Sequence, residues 1–321
     1  MSQTLRIGGR KVAEPLLVVG GSGLLGARVA TAARDEYRTF ATYLEHRFDL
    51  QGVEELCLDV TDYQQVHAII RALQPKAVVM CGGLGDLEQC EADRERAFSV
   101  NAEGTRNVAK SLGSAGKMVY ISSNYIFDGT SSTPYREDDT PSPISVYGEA
   151  VVAAENAVRE FCPDFIIARM ASLFGIDLVA RRQNFVTWVL GELLEGRSVN
   201  LFDDQILTPT YANQASEMIL EMINSNLKGV YNVASSSCIS RFDMGMQIAQ
   251  FFNRDPALLR RSNLADAPFK AKRPRNGCLD CSKVEQALAR PLFTFEEALV
   301  FFRSEVHNYQ FNWGRPQKEK S

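Results

Sequence analysis

Residues 16–20 form an apolar run that leads directly into Gly20-Gly21-Ser22-Gly23-Leu24-Leu25-Gly26, and a helical pattern begins inside that loop. Few features restrict a fold more. A turn this tight, between a buried strand and a helix, needs glycine in three places: where the backbone reverses, where it approaches a ligand, and where helix lies close on strand. Gly20, Gly23 and Gly26 have that spacing. The first turn of the helix then presents unpaired N–H groups, a seat for a diphosphate. A plain glycine-rich turn is the competing reading. The strand before the loop and the helix after it argue against it. Ser22, Leu24 and Leu25 complete the candidate phosphate loop.

The first half of the chain keeps the same rhythm. Apolar runs at 38–43, 55–58, 77–81, 117–121 and 165–169 alternate with helical patterns at 25–33, 63–73, 91–112 and 147–161. This predicts an α/β fold, a doubly wound parallel sheet of Rossmann type. After residue 170 the rhythm breaks. Helices are expected at 184–194, 214–224, 241–252 and 294–306, with a strand at 229–234. The expected division is an N-terminal tail (1–14), an NAD(P)-binding domain (15–170, with 203–238 returning to the sheet), a smaller C-terminal substrate lobe (171–202 and 239–310), and a polar tail (311–321). Such a lobe covers the carboxyl edge of the sheet, where ligands of open α/β sheets bind.

Hydrophobic residues make up 45% of the chain and charged residues 23%, with a net charge of -4. That is the composition of a soluble globular protein, with no electrostatic case for nucleic acid or a membrane surface as partner. No apolar run is long enough to span a bilayer. The opening residues, MSQTLRIGGRKVAE, lack the apolar core of a signal peptide, so the cytoplasm is expected. Seven cysteines are expected mostly as small buried residues in a reducing compartment. Cys278 and Cys281 form one C-x-x-C, half of a zinc site with no histidine beside it, so the spacing reads as coincidence and no metal is expected.

The second strand ends Ala41-Thr42-Tyr43, followed by Leu44-Glu45-His46-Arg47. No carboxylate ends the strand to take the ribose hydroxyls, and Arg47 suits a 2′-phosphate. NADP is therefore the expected cofactor, with Tyr43 and Arg47 beside it; Glu45 leaves NAD open. A solvated loop charge is the competing reading of Arg47. Asp59 and Val60 follow the third strand, where a carboxylate can accept from the adenine amine. An N-cap is the alternative for Asp59, but Asp62 is better placed for that.

Ser122-Ser123-Asn124-Tyr125-Ile126-Phe127-Asp128-Gly129 follows the fifth strand, and Tyr147-Gly148 comes after Tyr135, Glu137, Asp139, Pro141 and Pro143. Val100-Asn101-Ala102-Glu103-Gly104-Thr105, Asp204-Gln205-Ile206-Leu207-Thr208-Pro209-Thr210, Lys272-Arg273-Pro274-Arg275-Asn276 and Leu279-Asp280-Cys281-Ser282-Lys283 occur in the same order along the chain. With these motifs the chain resembles the extended short-chain dehydrogenase/reductase superfamily. More narrowly, it is similar to the dTDP-4-dehydrorhamnose reductase family and its relative, the methionine adenosyltransferase beta subunit, over roughly residues 15 to 305.

The resemblance implies a reduction in which Ser123 bonds the substrate carbonyl and Tyr147 gives the proton. It implies cofactor contacts at Gly82, Gly83, Asn101 and Tyr147, and substrate contacts at Asn124, Tyr125, Asn184, Asp204, Gln205 and Arg273. Glu155 falls at a structural position. A homodimer through helices 91–112 and 147–161 is expected, although Val151, Ala154 and Val158 suit core packing equally well. The bland alternatives are a core aromatic for Tyr147, a strand-end hydroxyl for Ser123 and a solvated basic loop for Lys270, Lys272 and Arg275.

Three positions depart from the pattern. Val151 stands where the family has lysine, Asn124 where the reductases carry aspartate, and Cys81-Gly82-Gly83-Leu84-Gly85-Asp86 is unusual after the fourth strand. Without the lysine, Tyr147 is expected to stay a neutral phenol, able to give a proton but a poor base. The leading reading is thus an NAD(P)-dependent reductase of a ketone, such as a 4-keto-6-deoxy sugar nucleotide. The rivals are a non-catalytic NADP-binding subunit that regulates a protein partner, and a non-redox biosynthetic enzyme on the same fold.

Overall fold

The computed structural model describes residues 6–7, 10–11, 13–45 and 47–308; the expected polar tail at 311–321 lies outside them. Seven strands form the central sheet: β1 (Pro15–Val19), β2 (Arg38–Tyr43), β3 (Glu54–Cys57), β4 (Ala77–Met80), β5 (Lys117–Ser123), β6 (Phe165–Met170) and β7 (Gly229–Asn232). All are parallel, in the order β3-β2-β1-β4-β5-β6-β7. The chain reverses its direction of travel between β1 and β4, which opens a crevice at the carboxyl edge. Leu16, Leu17, Val18 and Val19 are all buried. Strands covered on both faces read as continuous apolar runs for this reason, and that made them legible.

Helices α1 (Leu24–Ala33) and α2 (Tyr63–Leu73) follow β1 and β3. The single helix expected at 91–112 does not exist. In its place stand α3 (Leu87–Ala92), α4 (Arg94–Phe98), a π turn at Ser99–Glu103, and α5 (Gly104–Leu112). The break comes at Asp93, whose side chain accepts from the Arg96 N–H at 2.9 Å and so caps a new helix. The π turn widens the helix where Asn101 turns inward, a distortion common at functional sites.

After β5 comes α6 (Val146–Phe161), capped by Ser145, whose hydroxyl accepts from the Gly148 N–H at 3.2 Å. Val151, Ala154 and Val158 of α6 are buried in the core of this chain, so that apolar face is spent on folding. Later helices are α7 (Phe185–Leu194), α8 (Ala212–Asn224), α9 (Arg241–Phe251), α10 (Ser282–Leu288) and α11 (Phe295–Asn308). Helix α10 had no clear sequence signal. Its Val284 and Leu288 join the core of the sheet although they fall in the stretch assigned to the lobe. A second core gathers Phe174, Val189, Leu201, Phe242, Phe295 and Phe302. Residues 6–7 and 10–11, expected as tail, pair as a short antiparallel ladder. No helix among the described residues is long and apolar enough to cross a membrane.

The C-x-x-C resolves differently from expectation. Cys278 is joined by a disulfide to Cys238, with 5.6 Å between Cα atoms, and Cys281 is a free buried thiol. The bonded pair flanks a small sheet in which Ile206–Leu207 lies between Ile239–Ser240 and Asn276–Gly277. Spacing along the chain gave no hint of a partner 40 residues away.

One buried cluster locks α6 to the sheet. Glu155, 2% exposed, accepts from Ser122 Oγ at 2.6 Å and from Arg169 Nε and Nη2, each at 2.9 Å. Burial pushes the Glu155 carboxyl up, but Arg169, Ser122 and Arg159 outweigh it and hold the group below its ordinary value. Its stabilising share is therefore present above the unfolded carboxyl pKa and is lost as pH falls through the lower folded one. We expect Glu155→Ala to lower the unfolding free energy by about 3–5 kcal/mol at neutral pH, because it strands the Arg169 charge. Urea unfolding across pH checks this: the gap to wild type should narrow only below the usual carboxylate range.

Candidate active site

The loop after β1 is built by exclusion. Gly20 has φ +85, and a Cβ on it would lie 2.5 Å from the Gly82 backbone; a Cβ on Gly26 would lie 2.1 Å from the Gly20 carbonyl oxygen. Only glycine lets these strands and helix meet. Helix α1 opens on Gly23 with no side-chain cap, so its first N–H groups face the crevice. This bare helix start inside a cradle that any Cβ would fill fits a dinucleotide diphosphate.

Gly82 and Gly83 follow β4. Asn101, buried in the π turn, pins their loop: its Oδ1 accepts from the Leu84 N–H at 2.7 Å and its Nδ2 donates to the Leu84 carbonyl at 3.0 Å. Of the adenosine-side candidates, Asp62 is the cap of α2, accepting from the N–H groups of Gln64 and Gln65. Asp59 closes a turn onto Thr61, at 2.9 Å to its N–H and 2.7 Å to its hydroxyl. Val60 packs against Gly104, where a Cβ would meet it at 2.6 Å. Tyr43 ends β2, edge to face with Phe48. Arg47 is 79% exposed and pairs with Glu55 at 2.9 Å.

A cavity of about 310 Å³ brings together Cys81, Gly82, Gly83, Asn101, Ser123, Tyr125, Tyr147 and Val151. Tyr147 lies edge to face with Tyr125, with 5.9 Å between ring centres. Gly148 makes that approach feasible, since a Cβ there would lie 2.2 Å from the Tyr125 carbonyl oxygen. Burial pushes the Tyr147 phenol up to about 12; the facing Ser123 hydroxyl works against this, and Tyr125 and Cys90 add to it. No cation lines the cavity. The site holds a neutral phenol and a serine hydroxyl side by side, a pair that can polarise and protonate a carbonyl oxygen.

The substrate-side candidates divide. Asn124 is buried beside Gly277, where a Cβ would come within 2.3 Å of its Nδ2. Asn184 does not line the cavity. It caps α7, accepting from the Thr187 N–H, and donates to the Gly175 carbonyl at 2.7 Å. Asp204 is drawn into its own loop by the Leu264 N–H at 2.7 Å. Gln205 accepts from Arg241 Nε at 3.2 Å and donates to the Pro274 carbonyl at 3.2 Å. Arg273 reaches across to α3, bonding Glu88 at 2.9 Å, and stacks on Phe269.

Arg241 was not anticipated. It opens α9, donates to Ser172 Oγ at 3.3 Å and lies over the Phe185 ring. Among the described residues no carboxylate forms an ion pair with it. Burial lowers its guanidinium pKa; nearby Tyr125 raises it, and Arg273 lowers it further. A half-buried cation without a counter-charge beside the cavity is an anion seat. Ser172, its partner, lines the cavity with φ 43, a backbone strain typical of functional sites. Sequence reading missed both residues, because a lone arginine at a helix start carries no motif.

Residues 14–307 match the RmlD substrate binding domain. The chain belongs to that family. It is 31% identical over 301 residues to the "probable low-salt glycan biosynthesis reductase Agl14" of Haloferax volcanii, covering 91% of this chain and 98% of the relative. It is 30% identical over 278 residues to the methionine adenosyltransferase 2 subunit beta of Pongo abelii, covering 84% and 81%. Among solved structures, the dTDP-4-dehydrorhamnose reductase of Bacillus anthracis in complex with NADP superposes with a TM-score of 0.82 at 26% identity, covering 91% of this chain and 99% of that one.

Two outcomes test this geometry. Gly26→Ala should abolish measurable NADPH binding in a fluorescence titration, since its Cβ would collide with the loop. Tyrosinate absorbance, taken as the difference between wild type and Tyr147→Phe, should place the Tyr147 transition near pH 12. A transition near 10, the ordinary tyrosine value, would contradict the buried environment described.

Proposed function

We propose that this protein is an NADPH-dependent reductase that acts on the carbonyl of a keto sugar carried by a nucleotide, with 4-keto-6-deoxy sugar nucleotides the first candidates. The observation that carries this is the pairing of Ser123 and Tyr147 in one cavity with the glycine loop after β4. The family and the reductases among its relatives support it.

Gly20, Ser22, Gly23, Leu24, Leu25 and Gly26 would hold the diphosphate, Asp59 and Val60 the adenine, and Gly82, Gly83 and Asn101 the nicotinamide side. Arg47 would exchange Glu55 for a 2′-phosphate, which favours NADPH over NADH. When bound, the reduced nicotinamide supplies a hydride. Ser123 donates to the carbonyl oxygen and orients it. Tyr147 passes its proton to that oxygen as the negative charge develops. Arg241 and Arg273 take the anionic end of the substrate, while Asn124 and Tyr125 contact the sugar. With a phenol pKa near 12, Tyr147 is almost wholly protonated at neutral pH, so reduction is favoured over alcohol oxidation.

A second reading has one specific observation behind it. The helix turn after Tyr147 presents Val151 to the cavity, and one relative is named as the beta subunit of a methionine adenosyltransferase. A scaffold that binds NADP without turnover would look the same.

One experiment separates the two. NADPH and NADH consumption is followed with a panel of keto sugar nucleotides for wild type, Tyr147→Phe and Val151→Lys. The reductase reading expects turnover in wild type, preferring NADPH, with kcat reduced on the order of a hundredfold or more in Tyr147→Phe. No turnover in wild type, with activity appearing in Val151→Lys, would favour the scaffold.

A further inference from the structure

Tyr120 lies on β5 and is only 4% exposed, yet it lines the cavity together with Tyr147 and Val151. Its neighbour two residues on, Ser122, sends its hydroxyl to Glu155 of α6. Side chains two apart on a strand share a face, so Tyr120 is turned toward α6 as well. On α6, Tyr147, Val151 and Glu155 are spaced one turn apart and share a face in their turn. Both series meet in the cavity wall.

Among the described residues the Tyr120 hydroxyl takes part in no hydrogen bond. A phenol this deep normally has a partner, so its vacancy toward the cavity points to a ligand. The chemistry at Tyr147 needs such a group. Once Tyr147 has given its proton to the substrate oxygen, it is a phenolate in a buried site, and an isolated buried anion is costly. Its own helix offers only the methyl groups of Val151. The Ser123 hydroxyl accepts from the Tyr125 N–H at 3.2 Å and is committed to the carbonyl. Burial, then Tyr147 and Glu155, push the Tyr120 phenol well above its ordinary value, so it keeps its proton at every physiological pH.

We propose that Tyr120 is the positioning residue of the site: its hydroxyl bonds the Tyr147 oxygen, and it occupies the space beside Val151 where it also meets the nicotinamide ribose. The proton that leaves Tyr147 goes to the substrate oxygen. Tyr120 donates a hydrogen bond to the resulting phenolate without losing its own proton, and solvent later reprotonates Tyr147. This rests on the reductase reading for its kinetic consequence, but not for its cofactor contact.

The test compares wild type, Tyr120→Phe, Val151→Lys and the double variant Tyr120→Phe/Val151→Lys. NADPH affinity is read by fluorescence titration, and the Tyr147 transition in the protein without cofactor by tyrosinate absorbance. The pH profile of kcat follows with whichever keto sugar nucleotide turns over. Loss of one neutral hydrogen bond should weaken NADPH binding about five- to tenfold and lower kcat by a similar factor at unchanged KM. The Tyr147 transition should move to higher pH. Val151→Lys should restore both affinity and the transition in the Tyr120→Phe background. Tyr120→Phe with wild-type NADPH affinity and an unmoved Tyr147 transition would overturn the proposal. If no keto sugar turns over, the reductase reading fails by itself, and the affinity and titration results still decide the role of Tyr120. A melting temperature equal to wild type confirms that Tyr120→Phe is folded; if it is not, Val151→Lys alone must tighten NADPH binding and lower the Tyr147 transition, or the proposal falls.

Discussion

The carboxylate of Glu155 is the constraint on which the rest of this site depends. It takes hydrogen bonds from Ser122 on β5 and Arg169 on β6, two residues that face each other across the parallel ladder. Arg169 also donates to the Glu137 carbonyl at 3.1 Å, which ties in the long connection between β5 and α6. A single buried anion thus sets the register of α6 against the sheet. Ser123 sits one residue beyond Ser122, and Tyr147 two turns before Glu155. Their meeting is a consequence of that register. The low dielectric around the cluster makes every one of these bonds strong, and makes any vacancy among them costly.

Close backbone contact does the remaining alignment at the rim. Gly20 against Gly82, Gly26 against Gly20, Gly148 against Tyr125 and Gly277 against Asn124 all leave no room for a Cβ. Each contact joins two elements at the carboxyl edge of the sheet, so loops that could otherwise wander are held at van der Waals distance. The disulfide between Cys238 and Cys278 adds a covalent tie between the segments leading to Arg241 and leaving Gly277. Rigid elements behind the site and glycine contacts at its rim are what a reaction needing two donors at one oxygen requires.

How much of this was legible follows from the physics of each signal. The seven parallel strands announced themselves because burial on both faces demands unbroken apolar runs, as at Leu16–Val19. The phosphate loop, Ser123 and Tyr147 were legible because local spacing carries their function. The helix at 91–112 misled because its apolar period continues through Asp93, whose capping bond is visible only in three dimensions. Helix α10 is short and its apolar contacts are with the sheet core, so its sequence lacks a stripe of its own. Arg241, Ser172, Tyr120 and the partner of Cys278 were invisible for one shared reason: each acts through a residue distant in sequence. Asn184 shows the converse. A polar residue before a helix was read as a ligand contact, whereas its side chain is consumed by the capping box.

The distribution of charge gives the site its direction. Its reacting end is lined by phenols, a serine hydroxyl, glycines and Val151, with no cation, while Arg241 and Arg273 stand near Tyr125 at its edge. A substrate anchored by an anionic group at that edge would gain its binding energy far from the carbonyl, and that energy can hold the carbonyl oxygen against Ser123 and Tyr147. A cation placed beside Tyr147 would instead lower the phenol pKa and make it a base as well as an acid. Leaving valine there keeps the phenol protonated and the reaction one-way. The same absence makes the phenolate harder to hold at the moment it forms. A second phenol facing the first is the least disruptive remedy, since it supplies a hydrogen bond without supplying a charge.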